Sequence, residues 1–394
     1  MRDVLHTLRQ ARPAELDPDL PVGDDVRRAE LTRAMAADPG AAAADARVAP
    51  ERRRVRPAWG LSLAGAVAAG AIVAAAVVTT GGDPAGGVAP GPGGSGTAAV
   101  PALDAKTVLL AAAEKAGGQH ETTGAYWHQV TVSSHLYLVG TGADRYGVVV
   151  RDKAETWTPS KPGVRSWTLQ QNLGAKPATP ADVAAWQRAG SPSAFRIEVP
   201  PAPNAKPGQG RLKAFTAKGA PGRAEVQSAP LVDGDKVFWL GRNVTMKDLR
   251  SLPSDPARLK AELMRWYKGH GTESNERMPA DQWLYEVARG LVMDMPVRPE
   301  VRAAGFRMLA ALPAVKSVGK ATDPEGRTGN AIAVDERTDR GVIRRQMIID
   351  LATGTALASQ NIVLKPAEGT QIPAGRTVDS TVTVTAEWTD SHPR

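Results

Sequence analysis

Apolar positions change their spacing along this chain, and each change marks an element. Near the start, Val4, Leu5, Leu8 and Ala11 recur at helical intervals ahead of Pro13, and Val26, Leu31, Ala34 and Met35 follow the acidic pair Asp24 and Asp25. Helices this short are marginal alone, so residues 1–57 read as an arm that is disordered or folds on a partner. Residues 58–80 depart from that pattern: 23 positions rich in Ala and Val, with no charge between Pro57 and Gly82. A helix of that length crosses roughly 30 Å of hydrocarbon, so one transmembrane helix is predicted there. Residues 81–103 are dense in Gly and Pro and read as a tether, which leaves 104–394 as a separate folded domain.

Inside that domain the period alternates between that of helices and that of strands. Asp104 is placed to cap a helix through Val108, Leu109, Ala112 and Ala116 that stops at Gly117 and Gly118. Residues 126–139, 145–158 and 163–173 are rich in Val, Thr, Tyr and Trp with Gly or Pro between them, which predicts antiparallel strands. A helix is predicted over 180–188, a loop over 200–210, and a hairpin over 231–240 turning at Asp233, Gly234 and Asp235. Three helices follow. The first starts at Ser254 and Pro256, the second carries Trp283, Leu284, Val287, Ala288 and Leu291 on one face, and the third opens at Pro299. Strands return from Val315 onward, with clear alternation over 331–334, 341–350, 356–364 and 377–388 and a turn at 350–354. Strands, then helices, then strands predict an α+β fold: a largely antiparallel sheet with packed helices, preceded by the transmembrane helix.

Charge orients the span. Arg47, Arg52, Arg53, Arg54 and Arg56 precede it and the next cation after it is Lys106, so the arm is predicted to be cytoplasmic and the large domain extracytoplasmic. An uncleaved signal anchor fits the 57 residues in front of the run better than a short-headed cleaved signal, although Ala74, Ala75 and Ala76 offer a small-residue cleavage site. Small residues at Ser62, Ala66, Gly70 and Ala74 give a weak helix-pairing pattern. The formal charge is +8, from 49 basic and 41 acidic side chains; beyond the span the excess is +7, 38 against 31, spread without a basic run or helix, which argues against nucleic acid as a partner. The chain has no cysteine, which excludes disulfides, thiolate metal sites and cysteine nucleophiles.

Motifs for chemistry are absent. There is no phosphate-binding Gly loop leading into a helix, no G-x-S-x-G and no H-E-x-x-H. His128 and His135 lie seven apart in a predicted strand, hence on opposite faces and unable to share a metal. Carboxylates gather at 323–327 and at Asp335, Glu336 and Asp339 without EF-hand spacing, and read as solvated turns. Eight tryptophans beyond Trp59 outnumber the four phenylalanines; most are expected in the core, although indoles also line sugar and lipid grooves. No catalytic, cofactor-binding or metal-ligating residue is assigned, no cofactor is expected, and the protein is expected not to be an enzyme.

The order of arm, span and tether, the Ser254-Asp255-Pro256 helix start, and the succession Leu312-Pro313-Ala314-Val315, Asp323, Gly326-Arg327, Ala331-Ile332-Ala333-Val334, Ile348-Ile349-Asp350 and Thr353-Gly354 resemble an actinobacterial family of single-pass membrane proteins of uncharacterised function. Its members are often encoded beside extracytoplasmic-function sigma factors. The resemblance implies a membrane-anchored sensor or regulator, anti-sigma-factor-like, whose arm binds a sigma factor and whose outer domain meets an envelope ligand or lipid. The arm has His6 but lacks the cysteines of zinc-type anti-sigma domains. The alternative reading is an anchored lipid- or lipoprotein-binding module of the cell envelope, its sheet curved around an apolar cavity.

Overall fold

A computed structural model describes residues 103–199, 213–273, 277–338 and 341–393. The fold is α+β: a large antiparallel sheet with packed helices. Helix α1 (Ala105–Gly117) leads into β1 (Tyr126–Val139), β2 (Tyr146–Pro159) and β3 (Arg165–Pro177). Then come α2 (Pro180–Arg188), β4 (Ala194–Val199), β5 (Lys213–Lys218), β6 (Glu225–Pro230), β7 (Lys236–Trp239), β8 (Arg242–Thr245) and the short α3 (Met246–Arg250). Helices α4 (Pro256–Met264), α5 (Ala280–Met293) and α6 (Pro299–Ala310) precede β9 (Lys316–Thr322), β10 (Thr328–Thr338), β11 (Gly341–Asp350), β12 (Thr355–Pro366) and β13 (Thr377–Thr389).

Nine strands form one sheet in the order β6-β3-β2-β1-β13-β12-β11-β10-β9, while β4-β5 and β7-β8 are separate hairpins. Every pairing is antiparallel. The join between the two halves is β1 against β13, with Trp127 opposite Trp388 and His135 opposite Asp379.

The expected transmembrane architecture is corrected by this structure. Among the described residues no helix is long and apolar enough to cross a membrane. The longest, α5, has 14 residues and buries both Glu286 and Arg289, so it rises only about 21 Å and carries charge into its packed face. Residues 1–57, 58–80 and 81–102, on which the arm, the span and most of the tether were placed, lie outside the described residues, as does the loop expected over 200–210. The membrane localisation, the membrane partner and the two-sided topology therefore have no element among the described residues to carry them.

Apolar side chains on one face of the sheet collect into two clusters. The larger joins α1, α4, α5, α6 and the β7-β8 hairpin to Trp127, Ile332, Val334, Met347 and Ile349 of the sheet, with Leu109, Leu284, Phe306 and Leu309 fully sealed. Gly305 permits the close approach of α6 to α5: a Cβ there would stand 2.9 Å from both Leu291 Cδ2 and Val292 Cγ1. The smaller cluster joins Val139, Tyr146, Val148 and Val150 to Ala185 of α2 and to Phe195, Ile197 and Ala217 of the β4-β5 hairpin.

The opposite face curls on itself. Val132, Ala331, Ile348, Ala358 and Val382 are buried there in a third cluster. An ion pair between Arg151 of β2 and Glu325, in the turn between β9 and β10, links positions five strands apart, which a flat sheet would hold roughly 24 Å away. The curl also accounts for the burial of Gln346 and Gln360, whose amides bond each other at 3.0 Å.

Local expectations hold where capping and period agree. Asp104 accepts the Thr107 amide at 2.8 Å, and α2 spans the predicted 180–188. The cap of α4 is Asp255 rather than Ser254, its carboxylate accepting the Arg258 amide at 2.8 Å. The hairpin lies one step later than expected: Asp233 and Gly234 close only a tight turn before β7, and β7 turns into β8 at Leu240 and Gly241, both with positive φ (54° and 70°). Leucine is an unusual residue for that conformation, so the sequence carried no turn signal there.

Candidate binding site

Between the two apolar clusters, the same face of the sheet is polar. Alternation along a strand puts Gln129, Thr131, Ser133, His135 and Tyr137 of β1 on that face together with Trp127. Register then extends the floor sideways. One row runs Asn172, Asp152, Ser133, Thr381 and Ser359, and the next runs Val150, His135, Asp379, Asn361 and Arg345. The side chains of the first row are all half-buried, whereas the clusters on either side contain residues with no exposure. The floor is therefore an open trough between two sealed cores.

One wall is the end of α5. Asp294, which follows its last turn, meets the sheet through three groups: Trp127 Nε1 donates to its carbonyl at 2.9 Å, Gln129 Nε2 to Oδ1 at 2.8 Å, and Thr383 Oγ1 to Oδ1 at 3.5 Å. One turn earlier, Arg289 reaches Ser359 Oγ at 3.2 Å and Glu286 at 3.4 Å, and Glu286 also stands 3.2 Å from Arg345, which pairs with Glu336. Charges this recessed are stable because each has an opposite partner. A cavity of about 50 Å³ adjoins this wall, lined by Trp239, Glu286, Arg289, Asp294 and Met295 among others. The other wall is aromatic: Tyr137 packs edge-to-face on Phe215 of β5 with ring centroids 5.5 Å apart, and Phe215 stays exposed.

The carboxylates divide into two kinds. Glu286 and Glu336 have guanidinium partners, but Asp152, Asp294 and Asp379 are held by neutral donors: Asn172 on Asp152 at 2.9 Å, Gln129 and Thr383 on Asp294, and Asn361 on Asp379 at 2.9 and 3.1 Å. Desolvation pushes Asp294 up to about 6, against the weaker pull of Arg289 and its two donors. Asp379 is also raised by burial, with His135, Arg345 and Arg289 opposing. Burial raises Tyr137 too, and the nearby charges of Asp152 and Asp379 raise it further. Beside Asp294, Gln129 is sealed and its Oε1 is buried with no protein donor.

No family model matches the chain, and no curated protein matches it. The expected membership of a sigma-factor-associated membrane family is corrected accordingly: the motifs quoted for it are strand, turn and helix-start segments of this sheet. Ala331, Ile332, Ala333 and Val334 are core of β10, and Asp350 closes a turn by accepting the Gly354 amide through its carbonyl at 2.8 Å. The anti-sigma role and the anchored lipid- or lipoprotein-carrier role lose their basis as well. Helices α1, α5 and α6 fill the sheet face where a wide apolar cavity was expected.

The remaining candidate groups are structural. Asp323 is fully sealed, its carboxylate accepting the amides of Glu325 and Arg327 at 2.9 Å and the Arg327 guanidinium at 2.7 Å, which corrects the expectation of a solvated turn. Asp335 pairs with Lys316 and Arg344; Asp339 lies outside the described residues. His128 and His135 fall on opposite faces as expected: His128 stacks on Trp157 with centroids 4.6 Å apart, and His135 faces Asp379. Among the described residues no group of three or more His, Asp or Glu is placed to hold a metal ion. Trp127, Trp157, Trp239 and Trp283 are buried, while Trp266 is exposed beneath the Arg242 guanidinium, 3.8 Å from its ring centre. Sequence reasoning did not find the trough. Its one signal is the run Thr131, Ser133, His135, where small polar residues replace the apolar members of a buried face.

Proposed function

We propose that the domain is a non-catalytic binding module whose ligand, a small polar molecule, lies in the trough. The observation that carries this reading is the half-open polar floor at the centre of the sheet, set between two clusters that are closed to solvent. A protein under selection for stability alone gains about 25 cal/mol for each Å² of apolar surface it buries, so a polar floor in the middle of a sheet forgoes stabilisation. Recessed carboxylates with raised proton affinity, convergent amide and hydroxyl donors and an aromatic wall are the features by which binding sites are recognised. The trough is built on strands, which hold its groups in fixed register.

The reading is tested by amide chemical-shift mapping with spermidine, glucose, citrate and inorganic phosphate. At least one should shift the amides of Ser133, His135, Asp379 and Thr381 together, and Ser133→Trp, which fills the floor, should abolish that response while the far amides of α1 stay in place. Shifts scattered over the surface, or a response that survives the filled floor, would overturn it. Chemical conversion of the bound compound would overturn its non-catalytic part.

A further inference from the structure

We infer that the ligand of the trough is a linear aliphatic polyamine, held at each end by carboxylates that no described Lys or Arg meets at ion-pair distance. This rests on the binding reading above and adds the ligand's chemistry and length. The trough is rich in acceptors. Asp152, Asp294 and Asp379 accept hydrogen bonds only from neutral amides and hydroxyls, and the buried Oε1 of Gln129 has no donor, so beside one floor three carboxylates lack a charged donor and one amide oxygen lacks any. The guanidiniums of Arg289 and Arg345 are committed to Glu286, Glu336 and Ser359. An ammonium carries three donors and no acceptor, and it complements such a set. The chain as a whole is basic, at +8, so this acidic floor is a local departure rather than a general attraction for cations.

Spacing supplies the length. Thr383, which touches Asp294, and Asp379 lie on the same strand and the same face, four residues apart, or about 13 Å at the rise of a β-strand. One anionic end is thus Asp294 with Gln129, and the other is Asp379 with Asp152 across β1. The floor between them carries Ser133, Thr131 and Thr381, which are small enough to let a methylene chain lie flat. The aromatic wall of Tyr137 and Phe215 stands at the second end, where ring faces and carboxylates together favour an alkylammonium. A single metal ion would not span the two ends, and a sugar would leave the excess of acceptors unmet.

Binding also couples to protons. Asp294 is faced by Gln129 of β1, Thr383 of β13 and Arg289 of α5; Asp379 is faced by Asn361 of β12, His135 of β1, Arg345 of β11 and Arg289. Both carboxyls take up protons more readily than an exposed aspartate, so affinity should weaken as pH falls from neutral toward 5.

The experiment is calorimetric titration of the full chain with spermidine, 1-aminobutane and magnesium chloride at fixed ionic strength. Spermidine should bind at least about tenfold more tightly than either control, and Asp294→Asn and Asp379→Asn should each weaken it about tenfold, which corresponds to about 1.4 kcal/mol per contact. Equal binding of all three cations, or spermidine binding unchanged in both variants, would overturn the inference. Circular dichroism and the melting temperature confirm that each variant is folded, and Asp294→Glu, which keeps the charge, should retain more affinity than Asp294→Asn. If glucose, citrate or phosphate shifts the trough amides and spermidine does not, the polyamine is wrong and the binding reading stands. If none of the four probes does, both fall.

Discussion

The larger apolar cluster and the trough beside it are built on the same face of the same sheet, yet they obey opposite rules. In the cluster, helices α1, α5 and α6 seal leucines and Phe306 completely, and even Gly305 is used to close the space between α5 and α6. In the trough, the strands continue in register but the side chains shrink and turn polar, and among the described residues no helix covers them. The contrast shows that register alone builds no core. The floor residues determine whether an element docks on them, and Thr131, Ser133 and Thr381 give a helix little apolar surface to bury.

The comparison is broken most sharply in the cluster. Phe306→Ala removes a fully sealed ring and should cost about 3–5 kcal/mol in denaturant unfolding, whereas an equal loss from any trough residue would contradict the division drawn here. Next comes Asp294→Asn. Its carboxyl has a folded value raised to about 6 from 3.8, so the native state binds the proton more tightly than the unfolded chain. Stability is then favoured below the unfolded value and lost as pH rises through about 6. Wild-type stability should fall across that window, and the asparagine variant should be flatter and more stable at neutral pH by up to about 3 kcal/mol, nearer ~1 after solvent screening. Equilibrium melts from pH 4 to pH 8 check the sign; a wild type that gains stability across this range would refute it.

Smaller effects sharpen the picture. Asp104→Ala removes the side-chain cap of α1 and should lower the unfolding midpoint by a small amount with an unchanged denaturant slope. Thr381→Ala on the floor should stay within about 0.5 kcal/mol of wild type while altering the ligand response, since a half-exposed hydroxyl packs against little.

How far these regions were readable beforehand follows from the range of the interactions that make them. Asp104, Pro180, Pro256 and Pro299 act within a turn of themselves, and α1, α2, α4 and α6 begin where those residues place them. The long alternating runs yielded β1, β11, β12 and β13 to within a few residues. Strands β5 and β6 escaped because they are hairpin or edge strands with one weakly buried face, so their apolar alternation is thin. The trough was hidden for a different reason. Asp379 acquires its meaning only opposite His135, and Asp294 only against Gln129, and neither partnership leaves a trace in local spacing. The uncharged run at 58–80 drew the sequence reading toward a membrane, whereas the described helices are short, and the longest of them, α5, buries Glu286 and Arg289.

The adjacency of β1 and β13 carries one more consequence. Half of the floor comes from the opening strands of the domain and the other half from its closing ones, so a chain emerging from the ribosome exposes Ser133 and His135 long before Thr381 and Asp379 exist. Closing so long a loop is slow, and the site is the last part of the sheet to be completed. Ligand present during synthesis would therefore find nothing to hold until the final strand zips into place, which ties capture to a finished molecule.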